Sequence, residues 1–368
     1  LDLECRIGAE LLEQAAKRAN KKHATKLLEW AAHLADSTTD IEARINLAHS
    51  RHVAGIARIY PQRDWETTST RSLMLIEREL AAFSTWYEYF PRSCVYDGKT
   101  HGTFKDAAKQ LPLIHKMGFN IVYLPPIHPV GREFRKGKNN TLTPTSEDVG
   151  SPWAVGAKEG GHKSILPELG SLKDFQHFLD EAEMRGMEIA LDIAFQCAPD
   201  HPWVKKHPKW FRWRPDGSVQ YAENPPKKYQ DILPINFESD DWKNLWDELK
   251  SVFEYWIEQG VKVFRVDNPH TKSMEFWRWC ILNIKIKHPE VIFLAEAFTR
   301  PKRKYYLAKI GFTHGYTYFT WRNTAAELQQ YVEELTQSKS KEYFWPNFWP
   351  NTPDILHADL QTGKRATF

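Results

Sequence analysis

The stretch VKVFRVDNPHTK, from Val261 to Lys272, constrains the fold more than any other part of the sequence. Its first half is rich in β-branched and aromatic residues, which suits a strand buried on both faces of a parallel sheet. Arg265 and Asp267 are two residues apart, so on a strand they point to the same side. A cation and a carboxylate at the carboxyl end of such a strand lie where α/β barrels place their chemistry. A purely structural Arg-Asp pair is the alternative.

A second apolar run, VIFLAEAFTR at residues 291–300, also ends in a carboxylate, Glu296. Carboxylates at the ends of parallel strands in one barrel can converge on one cleft. Retaining glycosidases and transglycosylases need two such groups, one as nucleophile and one as acid/base. The two runs resemble the α-amylase superfamily (glycoside hydrolase family 13). Within it they are most similar to the maltosyltransferases, which extend α-1,4-glucan from α-maltose 1-phosphate.

The resemblance implies an α/β fold, a (β/α)8 barrel of the α-amylase type. It implies that Asp267 is the nucleophile and Glu296 the general acid/base. Asp354 matches the third carboxylate of the superfamily, which stabilises the transition state, although Pro353 precedes it where most members have His. No metal or organic cofactor is implied by any residue spacing.

Residues beside the nucleophile complete this set. We place Arg265, two residues before Asp267, and Asn268, directly after it, among the expected substrate-binding residues. The positive charge of Arg265 should also keep Asp267 ionised. Asn268 and Pro269 together predict the end of the strand and the start of a loop.

The chain divides by pattern into a helical segment, residues 1–83, and a catalytic barrel, residues 84–368. Apolar residues recur at intervals of three and four from Leu11 to Leu34, as in amphipathic helices. Asp40 is a candidate N-cap for a further helix that must end before Pro61. Periodicity leaves residues 72–80 open between strand and helix. By resemblance the helical segment takes part in a homodimer.

Helices and strands then alternate as in a barrel. We expect helices at residues 104–117, 172–186, 242–259 and 273–286. We expect the first barrel strand at residues 119–124, the next at 187–195, the sixth within 311–319 and the seventh within 343–351. The chain ends before the eighth strand and the β-sandwich domain that the resemblance leads us to expect. An incomplete barrel with an unpaired edge is therefore expected.

Two motifs before the second half of the barrel resemble the maltosyltransferases. The run WYEYFPRS at residues 86–93 is a feature of that group, and without the resemblance it is only an aromatic strand ending in a turn. The long loop 127–161 is rich in Gly and Pro, and within it GREFRKGKNN carries four cations in ten residues. Such a basic loop over the barrel mouth is suited to binding a phosphate group. The alternative is a charged loop that is simply solvated. The resemblance implies a donor contact for Lys136.

Further donor contacts follow from the same resemblance. Gln196-Cys197 stands where most amylase-type enzymes have Asn-His, and the maltosyltransferases share it and bind substrate through the Gln. Asp192 on the same strand is interpreted as a structural brace. In the run YAENPPKKYQD at residues 221–231, the resemblance implies that Asn224, Lys227 and Tyr229 hold the phosphate. It implies a further donor contact for Asp231. Taken alone, that run is a Pro-stiffened polar loop.

The composition argues against a nucleic-acid-binding, membrane-spanning or zinc-binding protein. A net charge of +3 is too small to indicate nucleic acid or an anionic membrane as partner. Four widely spaced Cys suit a reducing compartment and no zinc site, and no apolar run is long enough for a spanning helix. We therefore expect a cytoplasmic enzyme. The fifteen Trp residues are compatible with core packing and with aromatic surfaces on which sugar rings stack. An α-amylase-like hydrolase or transglycosylase, and a catalytically silent glucan-binding module, are the competing hypotheses.

Overall fold

The computed structural model describes residues 1–72, 74–95, 98, 101–353 and 355–367. Contacts between residues divide the chain into two compact units, Leu1–Met74 and Leu75–Phe368. Within the described ranges, no helix combines the length and the apolar character needed to cross a bilayer.

The N-terminal unit is helical. Its helices are Asp2–Arg18, Lys21–Ala35, Ile41–Ala48 and Arg51–Ala57. Leu12, Leu27 and Leu34 belong to its small apolar core, as the periodicity predicts. The predicted N-cap is confirmed, because the side chain of Asp40 accepts a hydrogen bond from the backbone N–H of Ala43. The single helix expected after it is two short helices.

The second unit is built on a parallel sheet of seven strands that lie in chain order. The strands are β1 (Trp86–Glu88), β2 (Ile121–Leu124), β3 (Glu188–Ile193), β4 (Val263–Val266), β5 (Ile292–Ala295), β6 (His314–Tyr316) and β7 (Trp345–Asn347). The prediction that residues 119–124 form the first strand is wrong, since β1 precedes them. The aromatic strand expected within WYEYFPRS is β1, and its pairing with β2, a contact that has no local signal in the sequence, makes it the first strand of the barrel.

The sheet curls on itself. The indole of Trp349, just after β7, lies 6.2 Å from the ring of Trp86 on β1 and 6.2 Å from that of Tyr123 on β2. It also lies 6.0 Å from Tyr316 on β6. These contacts bring both ends of the sheet around one interior. The unit is therefore an incomplete (β/α)8 barrel of the α-amylase type, as expected.

Alternation along the strands separates that interior from an outer core. Ile121 and Tyr123 face the barrel interior, whereas Val122 and Leu124 pack against the surrounding helices. On β4, Val263 belongs to the interior and Phe264 to the outer core. Arg265 and Asp267 follow Val263 at intervals of two, so they point to the same side as Val263, as predicted.

Helices cover the outside of the sheet. They are Glu79–Ala82, Phe104–Ala108, Leu111–Lys116, Leu172–Glu183, Pro202–Lys206, Trp242–Glu258, Met274–Lys287, Pro301–Lys309 and Ala325–Gln337. The helix expected at residues 104–117 is two helices, and Pro112 lies in the first turn of the second, where a missing N–H is tolerated. Residues 74–78 form neither strand nor helix, so the open choice at residues 72–80 resolves only into the helix that begins at Glu79.

Shorter elements lie in the segments that connect or follow the strands and helices of the barrel. Single 3-10 turns span Pro91–Ser93, Lys138–Asn140, Pro167–Leu169, Pro208–Trp210, Pro269–Thr271, Tyr318–Trp321, Lys339–Glu342 and Ala358–Thr362. Antiparallel pairs join Gln196–Cys197 to Leu233–Pro234, Ala222–Asn224 to Lys227–Tyr229, and Asn351–Thr352 to Ile355–Leu356. The run interpreted from its residues as a polar loop is thus a hairpin, because its two prolines occupy the turn.

Candidate active site

Arg265 is the centre of the candidate active site. One guanidinium nitrogen, Nη1, donates to Asp267 Oδ1 at 3.0 Å and to Asp192 Oδ2 at 2.9 Å. The other, Nη2, lies 3.2 Å from Glu296 Oε1. The Arg265 side chain is 4% exposed, so these charges meet away from bulk water. One buried cation therefore holds both predicted catalytic carboxylates at the ends of adjacent strands.

The aromatic rings of Tyr123 and Tyr316 frame this cation. The guanidinium carbon lies 5.8 Å from the centre of the Tyr123 ring and 5.7 Å from that of Tyr316. Such contacts attract a cation to the ring face and restrict its orientation. They limit the motion of Arg265, and with it the positions of the carboxylates.

Asp192 is buried behind Arg265. Its Oδ2 accepts hydrogen bonds from the Tyr123 hydroxyl at 2.6 Å and the Trp153 indole N–H at 2.9 Å, besides the one from Arg265. A carboxylate used in this way on one oxygen braces the strands and the loop that carries Trp153. This arrangement supports the structural interpretation of Asp192.

Backbone geometry after β4 orients the second carboxylate. Asn268 has φ 42° and ψ 50°, in the left-handed region that Asn tolerates better than most residues. In that conformation its backbone N–H donates to Glu296 Oε2 at 3.0 Å. Its side-chain amide lies 3.4 Å from Asp267 Oδ2. Asn268 thus contacts both carboxylates.

The electrostatics favour a protonated Glu296. Burial, with repulsion from Asp267 and Asp192, raises its pKa to about 8, against the opposing charge of Arg265. Burial also raises the pKa of Asp192 to about 6. A carboxyl group that keeps its proton at neutral pH can serve as a general acid.

Some predicted donor contacts meet in a cavity of about 360 Å³ on the same side of the barrel. Lys136, Tyr229 and Asp231 line it together. The Lys136 ammonium donates to the Lys228 carbonyl at 3.3 Å and to the Gln230 side chain. Burial raises the pKa of Asp231, while the charge of Lys136 opposes the rise. The basic loop and the hairpin therefore meet at one site.

Three other predicted donor contacts, Asn224, Lys227 and Gln196, are not among the residues that line that cavity. Asn224 and Lys227 face each other across the hairpin and are exposed. Gln196 donates from Nε2 to the Trp153 carbonyl at 3.1 Å, so it supports the loop that also bonds Asp192. Asp354, the third predicted carboxylate, lies outside the described residues.

Sequence reasoning missed three contributors. Tyr123, Trp153 and Tyr316 surround Arg265 and Asp192, yet they belong to three separate segments with no motif in common. The sequence signal for Tyr123 and Tyr316 was an aromatic residue near a strand end, and Trp153, in the long loop, had no such signal. Among the residues that the structure describes, no cluster of three or more His, Cys, Asp or Glu side chains could hold a metal ion.

Comparison with known families gives two matches. The family described as α-1,4-glucan:maltose-1-phosphate maltosyltransferase, domain N/S, matches residues 1–78. The family described as α-amylase, catalytic domain, matches residues 58–249, more than half of the chain.

Curated relatives match along the whole chain. A protein named α-1,4-glucan:maltose-1-phosphate maltosyltransferase from Chlorobaculum tepidum is 55% identical over 100% of this chain, which covers 55% of that protein. One of the same name from Methylacidiphilum infernorum is 54% identical over 100% of the chain and 55% of that protein. The chain spans about half the length of these relatives.

Solved structures share the fold. A maltogenic α-amylase from Thermotoga neapolitana superposes with a TM-score of 0.55 at 25% identity, over 69% of this chain and 56% of that one. An α-amylase from Lactobacillus plantarum gives a TM-score of 0.57 at 23% identity, over 72% and 60%. The barrel assignment is confirmed by these similarities.

Proposed function

The chain belongs to the α-amylase family, as a relative of the α-1,4-glucan:maltose-1-phosphate maltosyltransferases, and from this premise we propose the activity of the whole protein. It transfers a maltosyl unit from α-maltose 1-phosphate to the non-reducing end of an α-1,4-glucan and releases phosphate. The supporting observation is the single buried guanidinium that holds Asp267 and Glu296, at 3.0 Å and 3.2 Å, on neighbouring strand ends.

The reaction proceeds by two displacements at the anomeric carbon. Asp267 attacks that carbon while Glu296 gives its proton to the departing phosphate oxygen, and the bond between carbon and phosphate oxygen breaks. A β-maltosyl ester of Asp267 results. Glu296 then removes the proton from the 4-hydroxyl of the glucan end, whose oxygen displaces Asp267 and restores the α configuration.

Two features of the site suit these roles. The raised pKa of Glu296, about 8, keeps it protonated for the first step at neutral pH. The hydrogen bond from Arg265 to Asp267 fixes the position of the nucleophile at the end of its strand. Asp354 stabilises the positive charge that develops on the sugar ring.

Donor binding is assigned to Lys136, Gln196, Asn224, Lys227, Tyr229 and Asp231, with Arg265 and Asn268 beside the reacting carbon. The shared cavity of Lys136, Tyr229 and Asp231 supports the assignment. Asn224 and Lys227 sit on the hairpin that also carries Tyr229. Cations and neutral donors are the groups that bind phosphate oxygens.

We also propose that the protein is a cytoplasmic homodimer, with residues 1–83 as the helical segment and 84–368 as the barrel part. Leu3, Ile7 and Leu11 are four residues apart on one helix and are 60%, 49% and 57% exposed. Such an apolar stripe on a helix surface suits contact with a second copy.

The test is an incubation of the full-length protein with α-maltose 1-phosphate and a short malto-oligosaccharide, followed by measurement of phosphate and of product lengths. Phosphate release with products longer by maltosyl units is the expected result. Chain disproportionation without phosphate release would favour a transglycosylase, and free maltose or shortened chains would favour a hydrolase. Glucan binding with no turnover would indicate the silent module.

A further inference from the structure

The motif WYEYFPRS contains a cation to which the proposed mechanism assigns no role. Arg92 lies in the 3-10 turn Pro91–Ser93, directly after β1. The carboxyl ends of β1, β4 and β5 lie on one side of the barrel, because the sheet is parallel. Arg92 is thus on the same side as the two catalytic carboxylates.

Arg92 lines the cavity of about 360 Å³ that also contains Lys136 and Tyr229. Lys138 is a third cation in the wall, and Asp148 and Asp231 are the carboxylates. The Asp148 carboxylate accepts from the backbone N–H and hydroxyl of Thr145, at 2.7 Å and 3.0 Å. Cations therefore exceed anions around this space.

The guanidinium of Arg92 is anchored but not neutralised. Its Nη1 donates to the Gly150 carbonyl at 2.9 Å, and its carbon lies 5.6 Å from the Phe90 ring centre. In the described part of the chain, no carboxylate forms an ion pair with it. Burial and the charge of Arg135 lower its pKa, so a bound anion would stabilise the charged guanidinium at this position.

We propose that Arg92 binds the phosphate group of the donor and makes the site specific for a phosphorylated sugar. The inference rests on the proposed function and deepens it. A guanidinium held through one nitrogen keeps its other N–H groups for a second partner, and its planar fork matches phosphate oxygens. Tyr229, which the resemblance assigns to phosphate, lines the same cavity.

The experiment compares the full-length wild type with Arg92→Gln and Arg92→Lys. Each is assayed with α-maltose 1-phosphate and with α-maltosyl fluoride, a donor that lacks phosphate, and titrated with inorganic phosphate by calorimetry. Arg185→Gln is the control, since Arg185 is a partly buried arginine that bonds Glu181 of the preceding helix and is not among the residues that line the cavity.

For Arg92→Gln we expect KM for α-maltose 1-phosphate to rise about tenfold or more, the loss typical of a hydrogen bond between charged groups. Affinity for inorganic phosphate should fall by a similar factor, whereas kcat/KM for the fluoride should stay within about twofold. Arg92→Lys should lie between wild type and Arg92→Gln.

Equal losses with both donors, or unchanged phosphate affinity, would overturn the assignment. Failure of the proposed function gives a different pattern, in which the wild type consumes the fluoride but not α-maltose 1-phosphate. Even then, phosphate binding that Arg92→Gln abolishes would support the anion site, and a wild type that binds no phosphate would refute it.

Discussion

Replacing Glu296 by Gln should abolish transfer and yet stabilise the folded protein above neutral pH. Burial raises the pKa of Glu296 from its ordinary 4.5 to about 8. Between these values the folded chain keeps a proton that the unfolded chain has released. The unfolded state then binds fewer protons, so the wild-type free energy of unfolding falls as pH rises through this window. Gln does not titrate and escapes that loss.

The size of this stability loss follows from the difference between the two pKa values of Glu296, in the unfolded and in the folded chain. Each pH unit lowers the wild-type free energy of unfolding by about 1.4 kcal/mol, so from pH 5 to pH 8 the loss is about 4 kcal/mol. Protonated Glu has a carbonyl oxygen and a hydroxyl oxygen that both accept, whereas the NH2 group of Gln accepts nothing. The variant therefore loses either the Arg265 contact or the bond from the Asn268 N–H, about 1 kcal/mol. Glu296→Gln should be less stable than wild type by about 1 kcal/mol at pH 5 and more stable by about 3 kcal/mol at pH 8.

Urea unfolding followed by tryptophan fluorescence, at several values between pH 5 and pH 8, measures this difference. Asp192, whose pKa is about 6, titrates in both proteins, so its contribution largely cancels in the difference. Glu275→Gln is the control, since this exposed carboxylate forms an ion pair with the exposed Arg278 at 3.4 Å. A stability difference that stays constant with pH, or that falls as pH rises, would refute the reasoning.

Three further predictions concern other parts of the chain. Arg265→Lys should lower kcat for phosphate release at least about 100-fold, because one ammonium cannot hold both carboxylates as two guanidinium nitrogens do; a rate within tenfold of wild type would contradict this. Gly156→Ala should lower the free energy of unfolding in urea by at least about 2 kcal/mol, since at φ 103° a new Cβ would lie 1.9 Å from His201 Cδ2, and an unchanged midpoint would disprove the clash. Ile7→Glu should give a monomer by light scattering, and a persistent dimer would exclude this helix face as the interface.

The parts of the fold that sequence predicted well are those with strong local signals. Strands β2 to β5 are buried on both faces, so their apolar runs stand out. The short β1 and the polar hairpin around Lys227 have no such pattern, because pairing with a neighbouring segment determines them. Tertiary contacts override local preference at such places.

The residues of the candidate site also divide into those with a local sequence signal and those placed by tertiary contacts. Asp267 and Glu296 could be predicted because each directly follows an apolar strand. That Arg265 holds both of them could not, since the contact depends on the register between adjacent strands. The roles of Tyr123 and Trp153 depend on the curl of the sheet and on the course of a long loop, and neither property is encoded locally.

The central claim is that Asp267 forms the covalent bond to the sugar, and trapping that bond tests it most directly. The full-length Glu296→Gln variant, mixed with α-maltosyl fluoride, needs no acid for the first step and has no base for the second. Mass spectrometry should show the protein heavier by one maltosyl unit, and peptide mapping should place that unit on Asp267. A maltosyl unit on another residue, or fluoride release without any adduct, would contradict the account.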